Sequence, residues 1–119
     1  MPNADMPILV VDDAKFSSAI IAKALRSGGF NDVRFTNNPL QALRSLEKRP
    51  ARIVISDWLI PSMDGIELTQ RVRAMEEGSE HRTYVILLTN REELPSIQAA
   101  LEADVDDFLN KATLRTQLL

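Results

Sequence analysis

Five short apolar runs recur along the chain, and the stretches between them carry apolar residues at helical spacing. Pro7 to Val11, Asp32 to Thr36, Ile53 to Ser56, Tyr84 to Leu88 and Val105 to Leu109 read as strands. Lys15 to Ser27 places Phe16, Ile20, Ile21, Ala24 and Leu25 on one side, and Gly28-Gly29 ends it. Asn38-Pro39 offers an N-cap and a first-turn proline ahead of a Leu40, Leu43, Leu46 stripe. Gly65 opens a segment with Ile66, Leu68, Val72 and Met75, and Glu92 to Glu102 carries Leu94, Ile97 and Leu101. Strand and helix thus alternate five times, which predicts right-handed βαβ units and a parallel sheet covered on both faces. The last segment, Thr113 to Leu119, reads as a truncated helix of about two turns.

Length and charge narrow the class. The 119 residues are enough for one domain with a core, and 45% hydrophobic with 26% charged residues is a globular balance. A net charge of -3 leaves no basic footprint, so no direct nucleic-acid binding is expected. There is no cysteine, hence no disulfide framework and no thiolate chemistry. No secretory segment and no apolar run of about 20 residues is present, so the expectation is a cytoplasmic domain with no membrane span.

The strand ends carry the chemistry. In a parallel sheet all strand C-termini share one edge, where open α/β sheets bind ligands. Four runs stop at Asp12-Asp13, Asp57, Thr89 and Lys111, while the second ends at Thr36-Asn37 without an ionisable group. Carboxylates about 4 Å apart repel by about 4 kcal/mol at an effective dielectric of 20. Such a site must raise a pKa or take up a cation. Oxygen ligands without His or Cys suit Mg²⁺ and make zinc a poor match. A carboxylate can also be a nucleophile toward phosphorus, with Mg²⁺, Lys111 and Thr89 serving the phosphoryl oxygens.

These residues stand in a pattern that resembles the receiver domain of two-component response regulators. The markers are Val10-Val11-Asp12-Asp13, Ser56-Asp57 followed by Pro61-Ser62-Met63-Asp64-Gly65, Leu88-Thr89, and Phe108-Leu109-Asn110-Lys111. The resemblance runs from Ile8 to about Leu118. It implies a doubly wound (βα)₅, flavodoxin-like α/β fold with sheet order 2-1-3-4-5. It implies that Asp57 accepts a phosphoryl group from a partner histidine kinase or phosphotransfer protein, without being a turnover enzyme. Mg²⁺ would be held by Asp13, Asp57 and the Leu59 backbone carbonyl, with Asp12 acting largely through water. Lys111 would bind a phosphoryl oxygen, Thr89 would move toward the phosphoryl group, and Phe108 would turn inward. That shift would re-shape the surface of the fourth helix, fifth strand and fifth helix to control an output domain in cis or an effector protein. The resemblance also leaves room for a homodimer on phosphorylation. Residues 1–119 would form one receiver domain, the N-terminal part of a longer regulator.

Some positions depart from the family. Ala112 replaces the usual proline after the lysine, so a trans Lys111-Ala112 bond is expected. Asp104-Val105-Asp106 replaces a segment that usually contains glycine, a change expected to stiffen the turn, and Asn90 stands where a small residue is common. Leu59 and Arg91 flank the expected path of the hydrolytic water, and an apolar Leu59 cannot orient it. A phosphoryl state lasting minutes or more is the expectation.

Each residue also has a blander reading. Asp12 or Asp13 alone could cap the first helix, and Thr89 and Lys111 alone are commonplace. Asp64 reads as the N-cap of the third helix, with Gly65 supplying a special backbone angle. Phe108 is core by default, Trp58 a half-exposed wall of the site, and His81 a solvated histidine. Other functions fit less well. An aspartate-based hydrolase wants a second Asp two residues after the nucleophile, where Leu59 stands. A nucleotide-binding module wants a Gly-, Ser- or Thr-rich first turn instead of two acids. A scaffold that no longer accepts phosphate stays open because of Ala112.

Overall fold

The computed structural model of the chain describes residues 5–12, 15–57, 63–89 and 104–110, without the side chains of residues 15–18, 89 and 110. Along it run β1 (Ile8–Val11), α1 (Lys15–Ser27), β2 (Val33–Thr36), α2 (Pro39–Lys48), β3 (Ile53–Asp57), α3 (Gly65–Met75), β4 (Tyr84–Thr89) and β5 (Asp107–Asn110). The five strands form one sheet in the order β2-β1-β3-β4-β5, and every neighbouring pair is parallel. The helix expected over Glu92 to Glu102 and the tail from Thr113 lie outside the described residues.

Both faces of the sheet are covered, as the β-branched runs require. Leu9 and Val11 of β1 and Val54 of β3 pack with Ala42 and Leu46 of α2 and Leu68 and Val72 of α3. Their pleat neighbours Ile8, Val10 and Ile55 turn the other way and pack with Ile21 and Leu25 of α1. All four residues of β1 are buried, which fits a central strand flanked by β2 and β3.

The helix ends follow local chemistry. Asn38 caps α2, its side chain accepting from the Leu40 and Gln41 amides at 2.8 and 3.3 Å, and Pro39 takes the first helical position. Asp64 caps α3 and accepts from the Glu67 amide at 2.8 Å, as read from the sequence. At the end of α1 the Phe30 amide reaches the Leu25 carbonyl and the Gly29 amide reaches that of Arg26, both at 3.0 Å. This closing pair needs a left-handed residue, and Gly29 supplies it with φ +93°. Arg34 on β2 satisfies the far end of α2, donating to the Ser45 hydroxyl and the Arg49 carbonyl at 2.6 and 3.0 Å.

Several details depart from the sequence reading. The buried side of α2 is Pro39, Ala42 and Leu46, while Leu40 is 48% exposed. Steps of three residues fall short of the 3.6-residue turn, so a 40, 43, 46 stripe rotates about 120° around the helix and its first member leaves the core. Met75, expected on the apolar side of α3, is likewise exposed, and the buried side is Gly65, Leu68, Thr69 and Val72. Gly65 needs no special angle. Among the described residues positive φ occurs at Gly29, Gly78 and Asp104. Asp104, with φ 68°, thus takes a left-handed turn within the segment where the family resemblance leads one to expect a glycine. The turn delays β5, which starts at Asp107 although Val105 is already buried.

Candidate functional site

The ladder brings the predicted strand ends to one rim. Val11 of β1 pairs with Ser56 of β3, so the next residues, Asp12 and Asp57, are neighbours across that ladder. Asp57 in turn pairs with Leu88 of β4, and Thr89 pairs with Asn110 of β5. Asp12, Asp57, Thr89 and Asn110 therefore follow one another along the C-terminal edge of four adjacent strands. The Asp12 amide extends the sheet by donating to the Thr36 carbonyl at 3.1 Å.

Both carboxylate residues are buried, Asp12 to 3% and Asp57 to 8% exposure. Buried acids are uncommon, and two on neighbouring strands are rarer still. Alternation places Asp12 on the side of Val10 and Asp57 on the side of Ile55, which is the same side of the sheet. Parallel strands run about 4.8 Å apart. At that separation two ionised carboxylates repel by roughly 3 kcal/mol at an effective dielectric of 20. Ser56, the residue before Asp57, is fully buried, and its hydroxyl donates to the Asp57 carbonyl at 2.9 Å, tying down the backbone at the strand end. A pair of buried oxygen donors with neither His nor Cys beside it fits a hard divalent cation such as Mg²⁺.

The remaining site residues divide between those the structure places and those it does not describe. Phe108 lies across from Leu87 in the β4–β5 ladder and packs, partly buried, against the cluster on the α2–α3 side. Thr89 is placed by its backbone alone. Asp13, Trp58, Leu59, Asn90, Arg91, Lys111 and Ala112 lie outside the described residues. Among the described residues no three His, Cys, Asp or Glu side chains gather as a metal site; the expected third carboxylate is Asp13.

Two features at the opposite end of the sheet escaped the sequence reading. His81, read as solvated, is half-buried, and its Nε2 lies 2.9 Å from the Ala51 carbonyl and 3.2 Å from the Thr83 hydroxyl. A carbonyl only accepts, so Nε2 carries the hydrogen. It lines a groove of about 360 Å³ with Leu46, Pro50, Val72 and Met75.

The second feature is an ionic cluster around Arg73 in the last turn of α3. Its Nη1 donates to Glu76 Oε1 and the Thr83 carbonyl, both at 2.7 Å. Its Nη2 donates to Asp106 Oδ2 at 2.7 Å and to the Asp104 carbonyl at 2.8 Å. Glu76 Oε2 accepts from the Thr83 amide, and Asp106 Oδ2 accepts from the Val85 amide at 2.7 Å. Arg82 Nη1 reaches Asp106 Oδ1 at 2.6 Å. Burial alone would raise the Asp106 carboxyl, but the Val85 amide, the Arg82 hydrogen bond and the Arg73 charge reverse this and hold it below its usual value. The hydrogen bond to Asp106 in turn raises the Arg82 guanidinium. No spacing rule joins residues 33 apart, so the contact of Arg73 with Asp106 had no local signal.

Known proteins share this sequence pattern and fold. The family model of the response regulator receiver domain matches residues 8–119. A chemotaxis protein of Vibrio cholerae, CheY-3, is 35% identical over 98% of this chain and 91% of its own length. The receiver domain of the histidine kinase CKI1 from Arabidopsis thaliana, complexed with Mg²⁺, superposes with a TM-score of 0.81 at 24% identity, covering 95% of this chain and 90% of that one. The receiver domain of the Saccharomyces cerevisiae regulator Ssk1, crystallised with the histidine phosphotransfer protein Ypd1, gives 0.82 at 20% identity over 93% and 81%. Among the described residues no helix is long and apolar enough to cross a membrane.

Proposed function

Because this chain belongs to the response regulator receiver domain family of two-component signalling, we propose that Asp57 is its phosphoacceptor. The observation that carries this reading is the buried Asp57 beside the buried Asp12 at the C-terminal rim of the sheet. A carboxylate oxygen of Asp57 attacks the phosphorus of a phosphohistidine on a partner histidine kinase or phosphotransfer protein. The new O–P bond forms as the N–P bond breaks. The electron pair goes to the imidazole nitrogen, which takes up a proton.

Asp13, Asp57 and the Leu59 carbonyl are the residues that would hold Mg²⁺, with Asp12 engaged through water. Bound there, the cation supplies charge neutralisation for the transferred phosphoryl oxygens. The chain's own groups do the rest. Asp57 supplies the nucleophile from a strand end whose backbone is fixed by Ser56. Lys111, which follows β5, would neutralise one phosphoryl oxygen, and the Thr89 hydroxyl at the end of the adjacent β4 would donate to another. Drawing Thr89 in leaves room for Phe108 to turn inward from its place across from Leu87. The equilibrium of the β4–β5 side then shifts, as a population change between two arrangements. An apolar Leu59 in the place where the resemblance puts a water-orienting position would leave the phosphoryl state lasting minutes or more.

The chain in this reading is a cytoplasmic switch, one receiver unit whose output lies in a following domain or an effector protein, with dimerisation on phosphorylation as a further consequence. The test is to incubate it with Mg²⁺ and acetyl phosphate and to weigh the product. One added phosphoryl group that is absent from Asp57→Ala is expected. Unmodified protein at saturating Mg²⁺ would overturn the assignment and leave a binding scaffold. Sustained donor turnover would point to an enzyme.

A further inference from the structure

We propose that Arg73 is a positioning residue for this site: from the end of α3 it fixes β5 against β4, and so sets where Phe108 and the strand end at Asn110, which leads into Lys111, stand relative to Asp57. The inference rests on the phosphoacceptor reading above, because it concerns the groups that serve the phosphoryl oxygens and the switch.

The strand β5 needs such a hold. It is four residues long, and among the described strands it pairs with β4 alone. A slip of one residue would move Phe108 to the other face of the sheet and carry the residues after it away from the rim. The ladder itself is short, running from Ile86 with Asp107 to Thr89 with Asn110. Below its first rung the chain makes the left-handed turn at Asp104.

Arg73 engages that turn with two nitrogens and the start of β4 with the third. Nε and Nη2 both donate to the Asp104 carbonyl, at 3.0 and 2.8 Å, and Nη2 also reaches Asp106 Oδ2. Nη1 meanwhile holds the Thr83 carbonyl, the residue just before β4. One guanidinium therefore bonds the lead-in of both strands and fixes their relative height. Asp106 adds a second tie between the same strands: its amide donates to the Val85 carbonyl at 3.0 Å, and its carboxylate accepts from the Val85 amide. The Arg73 side chain is only 15% exposed, and its bonds to the Thr83 carbonyl and to Asp106 are partly buried, whereas those to the Asp104 carbonyl lie at the surface. A lysine, with one compact ammonium, cannot span the two carbonyls and the carboxylate as the planar fork does.

The same helix is tied to the acceptor side. Its first turn is capped by Asp64, and Met63 before it is buried in the core next to Leu68 and Val72. The 11 residues of α3 thus run from the buried Met63 and the Asp64 cap to the lead-in of β5. Asp12 and Asp57 sit on β1 and β3, which Arg73 does not touch. Its loss should therefore act on what β5 carries and spare what the acidic strands bind.

The experiment compares wild type with Arg73→Ala, Arg73→Lys and Asp106→Asn in the 119-residue chain. Three quantities are read for each. They are the acetyl phosphate-driven phosphorylation rate at saturating Mg²⁺, the Mg²⁺ affinity from NMR shifts of the Asp12 and Asp57 amides, and hydrogen exchange across the sheet. Arg73→Ala is expected to slow phosphorylation by about 10²-fold, the scale of a misplaced catalytic group. Mg²⁺ affinity should stay within about twofold, because the ligand strands are untouched. Exchange should quicken at Phe108 and Leu109 but not at Leu9 or Val54. Arg73→Lys and Asp106→Asn should fall between, and they decide the matter with the same readouts if Arg73→Ala does not fold. Equal losses of rate, Mg²⁺ affinity and protection in all strands would mean a merely structural residue and overturn the proposal. So would a phosphorylated wild type matched by an Arg73→Ala chain with unchanged rate and exchange. A wild type that takes no phosphoryl group would instead overturn the reading beneath it.

Discussion

Asp12 and Asp57 are neighbours across the β1–β3 ladder, one residue beyond the Val11–Ser56 pair, and both are buried. Folding therefore brings two like charges together at a rim where water cannot fully screen them.

The first prediction concerns that repulsion. Asp57→Asn removes one charge of the pair while keeping the side-chain volume. In EDTA its unfolding free energy should exceed that of the wild type by about 1 kcal/mol, part of the roughly 3 kcal/mol Coulomb term. Mg²⁺ at ten times its dissociation constant should stabilise the wild type by about 1.4 kcal/mol through linkage, and the variant by much less. Thermal unfolding with and without Mg²⁺ measures both. A wild type indifferent to Mg²⁺ would count against a cation at this rim.

Acid sensitivity should centre on Asp106. Its carboxyl is held below its ordinary value of 3.8 by the Val85 amide, Arg82 and Arg73, which outweigh its burial. A depressed native pKa means that folding favours the ionised form. The stabilisation is complete above pH 4 and is lost as pH falls through the lower native value. Asp106→Asn should be less stable than wild type at pH 7 and show a flatter decline between about pH 4 and pH 2. Equal slopes in urea titrations over that range would contradict the assignment.

The α2 face offers a contrast between two leucines of similar sequence context. Leu46 is 5% exposed and Leu40 is 48% exposed. Leu46→Ala should cost about 2–4 kcal/mol, and Leu40→Ala should stay within about 0.5 kcal/mol. Urea midpoints at constant m-value check this, and similar losses at both sites would restore the 40, 43, 46 stripe.

Helix caps should respond as hydrogen-bond acceptors. Asn38→Ala and Asp64→Ala each free amides that the side chain now satisfies. Each is expected to lose about 1 kcal/mol, and Asp64→Ser should recover most of it. A Ser variant as unstable as Ala would show that the Asp64 charge, rather than its cap, matters.

The left-handed turn at Asp104 gives a final test. Its φ of 68° is tolerated by Asp, Asn and Gly but opposed by a β-branched side chain. Asp104→Val should cost about 1–2 kcal/mol, whereas Asp104→Asn should be near neutral. Chemical denaturation of the pair measures the difference. An equal effect would mean that the Arg82 ion pair, at 3.3 Å, outweighs the backbone.

Much of this molecule was legible as text because the interactions concerned are local. Asn38-Pro39, Asp64 and Gly29 act within one or two turns of chain, so their residue types announce the helix ends they make. The β-branched runs announce strands covered on both faces, and parallel strands carry Asp12, Asp57 and Thr89 to a single edge whatever the packing details. The tertiary structure alone decided the rest. It turned Leu40 outward, set the half-buried His81 against the Ala51 carbonyl, and joined Arg73 at the end of α3 to Asp104 and Asp106 ahead of β5. Those outcomes depend on which faces meet after the chain has closed on itself. Pairings between residues dozens of positions apart leave no periodicity for a linear pattern to record.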